Sequence, residues 1–227
     1  MKILMPHPEQ RYTWENVKAW GPCDPYPQND YALLRSLDGT PRTALEAFDG
    51  LRGRIPDNDL WWCLARKQVL GLPALQFLLA DVAERGAPIF ERARPDDMCV
   101  RDCVRTIRLA ALGRATDRDL RAASAAADAA SWAISSAAAR AVRAAAKAAA
   151  RAAADAARAA YYADDAFATY IAAYAAACAA ACAAARAVAI AAAWAWMLDR
   201  LRLYLTDAVS INKRTLTVTP VVEGHVS

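Results

Sequence analysis

The residues best placed to do chemistry in this chain are cations. Arg140, Arg143, Lys147, Arg151, Asp155 and Arg158 fall three or four positions apart. On a helix that spacing draws one narrow, mostly basic line about five turns long. Arg101, Arg105 and Arg108 make a second basic line, with Asp102 interleaved. Guanidinium forks match the oxygens of phosphate and carboxylate, so these eight cations are the candidate binding groups. The plainer account is a solvated face that keeps an alanine-rich helix soluble.

Other chemistry is thinner. The chain has two histidines, His7 in a proline-rich start and His225 near the end. Neither has the setting of a triad or a metal site, so imidazole acid–base catalysis is not expected. There is no P-loop, no G-x-G-x-x-G and no G-x-S-x-G. Cys99/Cys103 and Cys178/Cys182 share an i, i+4 spacing. Four thiolates from two helices suit a tetrahedral Zn²⁺ site, or two inter-helix disulfides. The alternative is that each cysteine is a small buried hydrophobe standing in for alanine, and no knuckle turn or histidine accompanies the pairs. The carboxylate pairs Asp57/Asp59, Asp96/Asp97 and Asp164/Asp165 each sit where a helix should begin, and capping accounts for them. No cofactor, no metal and no enzymatic activity are expected.

The element that must position these groups is the stretch from Thr116 to Thr206. Of the 80 residues from Arg121 to Arg200, 45 are alanine. Alanine has no rotamer entropy to lose in a helix. From Arg114 to Thr219 neither Gly nor Pro interrupts the chain. The expectation is a long helical hairpin, with arms of about 40 residues and about 60 Å. A first arm runs to Tyr161 and Tyr162. A second, capped by Asp164 or Asp165, runs through Tyr170, Tyr174, Cys178, Cys182, Arg186 and Ile190 to Trp194, Trp196, Leu201 and Leu205. An all-alanine interface slides easily, so Trp132, Tyr161, Tyr162, Phe167, Tyr170, Tyr174, Trp194 and Trp196 should fix its register.

Upstream, turn and cap signals mark short helices. They are expected at Trp14–Trp20, Tyr31–Leu37, Arg42–Leu51 (after Thr40-Pro41), Leu60–Leu70, Ala74–Arg85, Pro88–Arg94 and Met98–Leu112. Gly86 and Gly113 read as stops. Residues 215–219 alternate like a strand, and Met1–Met5 is the expected partner. The fold class is all-α: short N-terminal helices packed on a long Ala-rich helical hairpin, with minor terminal β-pairing. The expected organisation is an extended arm (1–30), a short-helix region (31–113), the hairpin (114–206) and a tail (207–227). Tyr174–Met197 is long enough to span a bilayer, but alanine inserts weakly and Arg186 is central, so no membrane span is expected. With no secretory signal in view, a cytoplasmic protein with reduced thiols is expected. The net charge of +4 permits an acidic partner without indicating nucleic acid.

A family likeness follows from the order of these parts. Asp59-Leu60-Trp61-Trp62-Cys63-Leu64-Ala65-Arg66 precedes a helix at Asp97–Leu112. A Gly-Arg-Ala-Thr-Asp-Arg-Asp-Leu-Arg-Ala-Ala turn (113–123) follows, then a long Ala/Trp/Tyr tract closing on Trp196-Met197-Leu198-Asp199-Arg200-Leu201. Over residues 44–205 this resembles the alanine-rich immunity proteins of bacterial toxin systems and similar phage-encoded proteins. The resemblance implies a binding protein that neutralises a protein toxin or defence effector, and no site residues come with it. Two other functions stand beside it: a sponge for an anionic small molecule such as a nucleotide, and a self-assembling helical homo-oligomer. If the longer basic line is a recognition surface, reversing Arg143, Lys147 and Arg151 together abolishes partner capture in a pull-down. Undiminished capture would reduce that line to a solubilising face.

Overall fold

The computed structural model describes residues 9–19, 40–133, 151–158, 186–206, 209–212 and 215–220. They are mostly helical, with two small antiparallel strand pairs. The helices are α1 (Trp14–Ala19), α2 (Ala44–Leu51), α3 (Asp57–Leu64), α4 (Lys67–Leu70), α5 (Leu72–Ala93), α6 (Cys99–Ala111), α7 (Asp117–Ala133), α8 (residues 151–158) and α9 (Arg186–Leu205). The strands are β1 (Arg11–Tyr12), β2 (Arg42–Thr43), β3 (Val209–Asn212) and β4 (Thr217–Pro220).

Two helix starts are set by reciprocal caps. The Thr43 hydroxyl accepts from the Glu46 amide at 3.2 Å, and the Glu46 carboxylate accepts from the Thr43 amide at 2.8 Å. Thr116 and Asp119 repeat the exchange at the start of α7, at 3.3 and 2.7 Å. Each exchange satisfies two otherwise orphaned donors. The T-x-x-E signal at 43–46 therefore places the start of α2 at Ala44, two residues beyond the Arg42 expected after Thr40-Pro41.

Three further boundaries differ from expectation. The helix expected over Leu60–Leu70 breaks at Ala65 and Arg66. There the Arg66 guanidinium stacks 3.8 Å from the Trp62 ring centroid, and its Nε donates to the Trp62 carbonyl at 2.7 Å. The helices expected at Ala74–Arg85 and Pro88–Arg94 are one, since α5 runs through Gly86 and Pro88. Proline removes one backbone bond, and burial of Ala87 and Phe90 on the same helix offsets that loss. The 215–219 run pairs through Thr217–Pro220 with Val209–Asn212, matching Ser210 to Thr219 and Ile211 to Val218. A local hairpin needs far less chain closure than a partner at the other end of the sequence.

The core lies where α5 meets α3, α6 and α9. Trp61, Phe77, Leu78, Leu79, Phe90, Ile107 and Leu201 are all fully buried there. In α9, Met197, Leu198, Leu201, Tyr204 and Leu205 recur at helical spacing and are all buried. Its outer face is tied to α2 and the following loop by Arg202–Asp49 at 3.0 Å and Arg52–Asp199 at 2.6 Å. Of the expected register-fixing aromatics, Trp194 is buried, and Trp196 carries the Arg85 guanidinium 4.4 Å from its ring centroid.

The alanine-rich segment packs as methyl against methyl. Residues 152–157 of α8 are buried all round, and Ala127 and Ala130 of α7 are buried as well. Such close approach lets side chains reach backbone: Ser124 Oγ donates to the Ala154 carbonyl at 3.0 Å and Cys103 Sγ to the Ala153 carbonyl at 3.3 Å. Arg158 meets Asp128, 30 positions earlier, at 2.9 Å. On one straight rod those residues would stand about 45 Å apart. The chain has therefore doubled back between α7 and α8, and the first arm is not the single 40-residue helix expected. Tyr31–Leu37, Met1–Met5, the expected helix junction at Tyr161–Asp165 and the second arm from Tyr170 through Cys182 lie outside the described residues.

One polar cluster sits inside this core. Asp81 of α5 accepts from Arg108 Nη2 of α6 at 2.8 Å, and from Arg200 Nε and Tyr204 Oη of α9 at 2.7 and 2.8 Å. Arg108 also forks onto Glu84 at 3.0 and 2.7 Å. Replacing Asp81 with Ala leaves two guanidinium groups and a phenol facing a buried gap. The expected loss is about 3–5 kcal/mol in denaturant unfolding. A loss below about 1 kcal/mol would show that the cluster does not hold these helices together.

Candidate functional site

A cavity of about 580 Å³ opens beside this cluster, between α5, α6 and the β3–β4 turn. Its lining includes Glu84 and Pro88 of α5, and Met98, Arg101, Asp102, Arg105, Arg108 and Leu109 on or beside α6. Arg114, Thr215 and Leu216 also line it. Four of these residues are arginines.

Local sequence sets their positions. Asp97 Oδ1 accepts from the Cys99 amide at 3.1 Å just ahead of α6, whose N-cap is Met98, so neither Asp96 nor Asp97 holds the cap position expected of them. The inner face of α6 is Val100, Cys103, Val104, Ile107, Arg108 and Ala111, all buried. Asp102 and Arg105 are left exposed on the other side. Gly113 ends the helix at φ 67°, a conformation glycine adopts without a Cβ clash. The turn closes with Gly113 N donating to the Ala110 carbonyl and Arg114 N to the Leu109 carbonyl, both at 2.8 Å. That double bond pattern is a Schellman cap, and it folds Arg114 back to the cavity wall. Leu216, at φ 57°, takes the left-handed conformation that side chains resist, and it is buried in the cavity wall.

The four guanidinium groups are not equivalent. Burial alone would lower the Arg108 pKa, but hydrogen bonds and charge from Glu84 and Asp81 raise it, so Arg108 stays cationic. Arg101 pairs with Glu91, Nη2 to Oε2 at 2.7 Å, and that bond raises its pKa and lowers that of Glu91. Arg105 and Arg114 are exposed and have no acidic partner among the described residues. The cavity therefore offers two uncommitted cations supported by two committed ones.

The remaining candidate groups are placed as follows. Arg151 and Arg158 of the longer basic line turn onto Asp128 of α7, at 3.7 and 2.9 Å, and onto Asp155, at 3.5 and 3.0 Å. Two cations and two carboxylates thus neutralise one another across the α7–α8 contact. Burial raises the Asp155 pKa against the lowering by both arginines. Arg140, Arg143 and Lys147 lie outside the described residues. The structure brings Arg101, Arg105 and Arg108 together at one cavity and places Arg151 and Arg158 elsewhere.

Cys63, Cys99 and Cys103 are free, and burial pushes each thiol up to about 12. With no metal bound, these thiols are protonated near neutral pH. Among the described residues no group of three His, Cys, Asp or Glu side chains is arranged to hold a metal ion. Cys178 and Cys182 lie outside them. A second cavity of about 850 Å³, on the other side of Met98, is lined by Cys99, Cys103, Asp96, Asp97, Asp102 and Asp119 among others. Two of these carboxylates are engaged, Asp97 with the Cys99 amide and Asp119 with Thr116.

Sequence patterning pointed to Arg101, Arg105 and Arg108 but not to Arg114, Met98 or Leu216. Gly113 was legible as a stop, yet nothing in the sequence reveals where the residue after a stop will point. No family model, no curated protein and no solved structure matches this chain. Among the described residues no helix is long and apolar enough to cross a membrane.

Away from the cavity, burial raises the Asp59 carboxyl from 3.8 to about 6, with the Asn58 amide donating to it at 2.7 Å. A carboxyl whose folded pKa lies above its unfolded value costs stability once ionised, and that cost is complete above the folded pKa. Relative to Asp59→Asn, the protein is expected to gain thermal stability as pH falls from 7 to 4. Melting curves for the two proteins that stay parallel across this window would remove Asp59 as the cause.

Proposed function

We propose that this chain is a helical binding protein whose ligand site is the arginine-lined cavity, and that the ligand is a small molecule carrying a phosphate-like anion. The observation that carries the proposal is the pair Arg105 and Arg114. Both line a cavity of about 580 Å³ and neither has an acidic partner among the described residues. Two guanidinium forks beside a third held rigidly by Glu84 and Asp81 suit an anion with several oxygens. The cavity volume lies within the usual range of about 300–1,000 Å³ for small-molecule sites.

A second reading has one observation in its favour. Met98 is 47% exposed at the cavity rim, as an apolar anchor for a protein partner would be. On that reading the protein neutralises a toxin or defence effector by accepting an acidic side chain of the partner into the cavity, in line with the resemblance to immunity proteins. Self-assembly through alanine faces is a third reading, and a monomer by light scattering would remove it.

Saturating nucleotide or pyrophosphate, at about 100 times Kd, is expected to raise Tm by about 5–10 °C. The shift should shrink as salt rises and vanish in Arg105→Glu/Arg114→Glu. If no small anion moves Tm at low salt, the small-molecule proposal fails and the protein-partner reading takes its place.

A further inference from the structure

The cavity is not uniformly basic along its length. Met98, Asp102, Arg105 and Leu109 recur along α6 at steps of four, three and four residues, and all line it. They therefore form one face, about 16 Å from end to end. The end near Met98 carries a thioether, the Asp102 carboxylate and Arg101, whose charge is already matched by Glu91. The other end carries Arg105 and, past the Gly113 turn, Arg114. Asp102 is exposed, and its carboxylate has no donor among the described residues. A bare anion gains nothing from that carboxylate and is repelled by it. A ligand with an anion at one end and N–H donors at the other satisfies both.

Resting on the anion-site reading above, we propose that the ligand is a nucleoside phosphate bound along α6. Its phosphates lie on Arg105 and Arg114, its base sits beside Met98, and the base's N–H edge donates to Asp102. A carboxylate has two acceptor oxygens, and guanine presents two adjacent N–H donors on one edge. Adenine presents one donor group beside an acceptor. The cavity therefore prefers guanine. Met98 supplies a polarisable surface for the ring. A pyrophosphate alone would leave most of the 580 Å³ unfilled.

The test is isothermal titration of GDP, IDP, ADP and pyrophosphate into the full chain, into Asp102→Asn and into Arg105→Glu/Arg114→Glu. GDP is expected to bind about tenfold or more tightly than ADP and pyrophosphate, with IDP, which lacks the exocyclic amine, between. Asp102→Asn should bring GDP to the level of ADP while pyrophosphate binds no more weakly. The Asp102 side chain makes no hydrogen bond or ion pair among the described residues, so this variant is expected to keep the fold, which its melting temperature checks. The double arginine reversal should weaken all four ligands. Arginine-dependent pyrophosphate binding with GDP no tighter than ADP would overturn this inference and leave the anion site standing. Binding of none of the four would overturn both.

Discussion

The structure depends on one carboxylate having three donors deep in a protein interior. An ionised Asp81 in an apolar core would be prohibitively costly alone. It is tolerable because α6 supplies Arg108, while α9 supplies Arg200 and Tyr204. Each donor is correct only at one rotation and one height of its helix. Hydrophobic contacts between helices tolerate small slips, and a carboxylate bonded to three directional donors does not. Burial and the Asp81 charge together raise the Tyr204 pKa well above its usual value, which keeps the proton on the phenol that donates to Asp81. The cluster also faces outward through Arg108, which is at once part of the core and part of the cavity wall.

The alanine-rich segment solves the same register problem with smaller devices. A buried methyl removes little area from water, at about 25 cal/mol per Å², and one methyl looks like the next. What distinguishes one alignment of α8 against α6 and α7 from another is a hydroxyl, a thiol and a charge pair. Ser124 and Cys103 donate to adjacent carbonyls, of Ala154 and Ala153, while Asp128 holds Arg158. Alanine makes this possible, because only a backbone brought so close can accept a bond from the short side chains of a neighbouring helix.

Much of this was legible beforehand, and the exceptions have physical causes. Helix content followed from alanine propensity and the absence of Gly and Pro after Arg114. Gly113 was readable as a stop, and it is one. Gly86 and Pro88 carried the same local signal, but burial of Ala87 and Phe90 outweighed it. Arg66 broke a helix that its neighbours would have continued, through a stacking contact invisible in a one-dimensional pattern. The line of arginines on α6 was visible from spacing. Which of them are engaged was not, because Glu84, Glu91 and Asp81 lie 10 to 27 positions away in sequence and are adjacent only after folding. The reversal between α7 and α8 was hidden for the opposite reason, since a run of alanines reads alike whether the rod is straight or doubled.

Leu216 gives the cavity an uneven wall. Two sides are the helices α5 and α6, fixed by the Asp81 cluster and a buried core, and a third is the Schellman turn that carries Arg114. The fourth is a leucine pinned at φ 57° at the turn of a four-residue-per-strand hairpin. A left-handed leucine stores about 1–2 kcal/mol of backbone strain, which returns to the system if the side chain is expelled. Exposing a buried leucine costs about 1.5–3 kcal/mol, and the strain released offsets part of that cost, so this wall of the cavity resists displacement less than an unstrained leucine would.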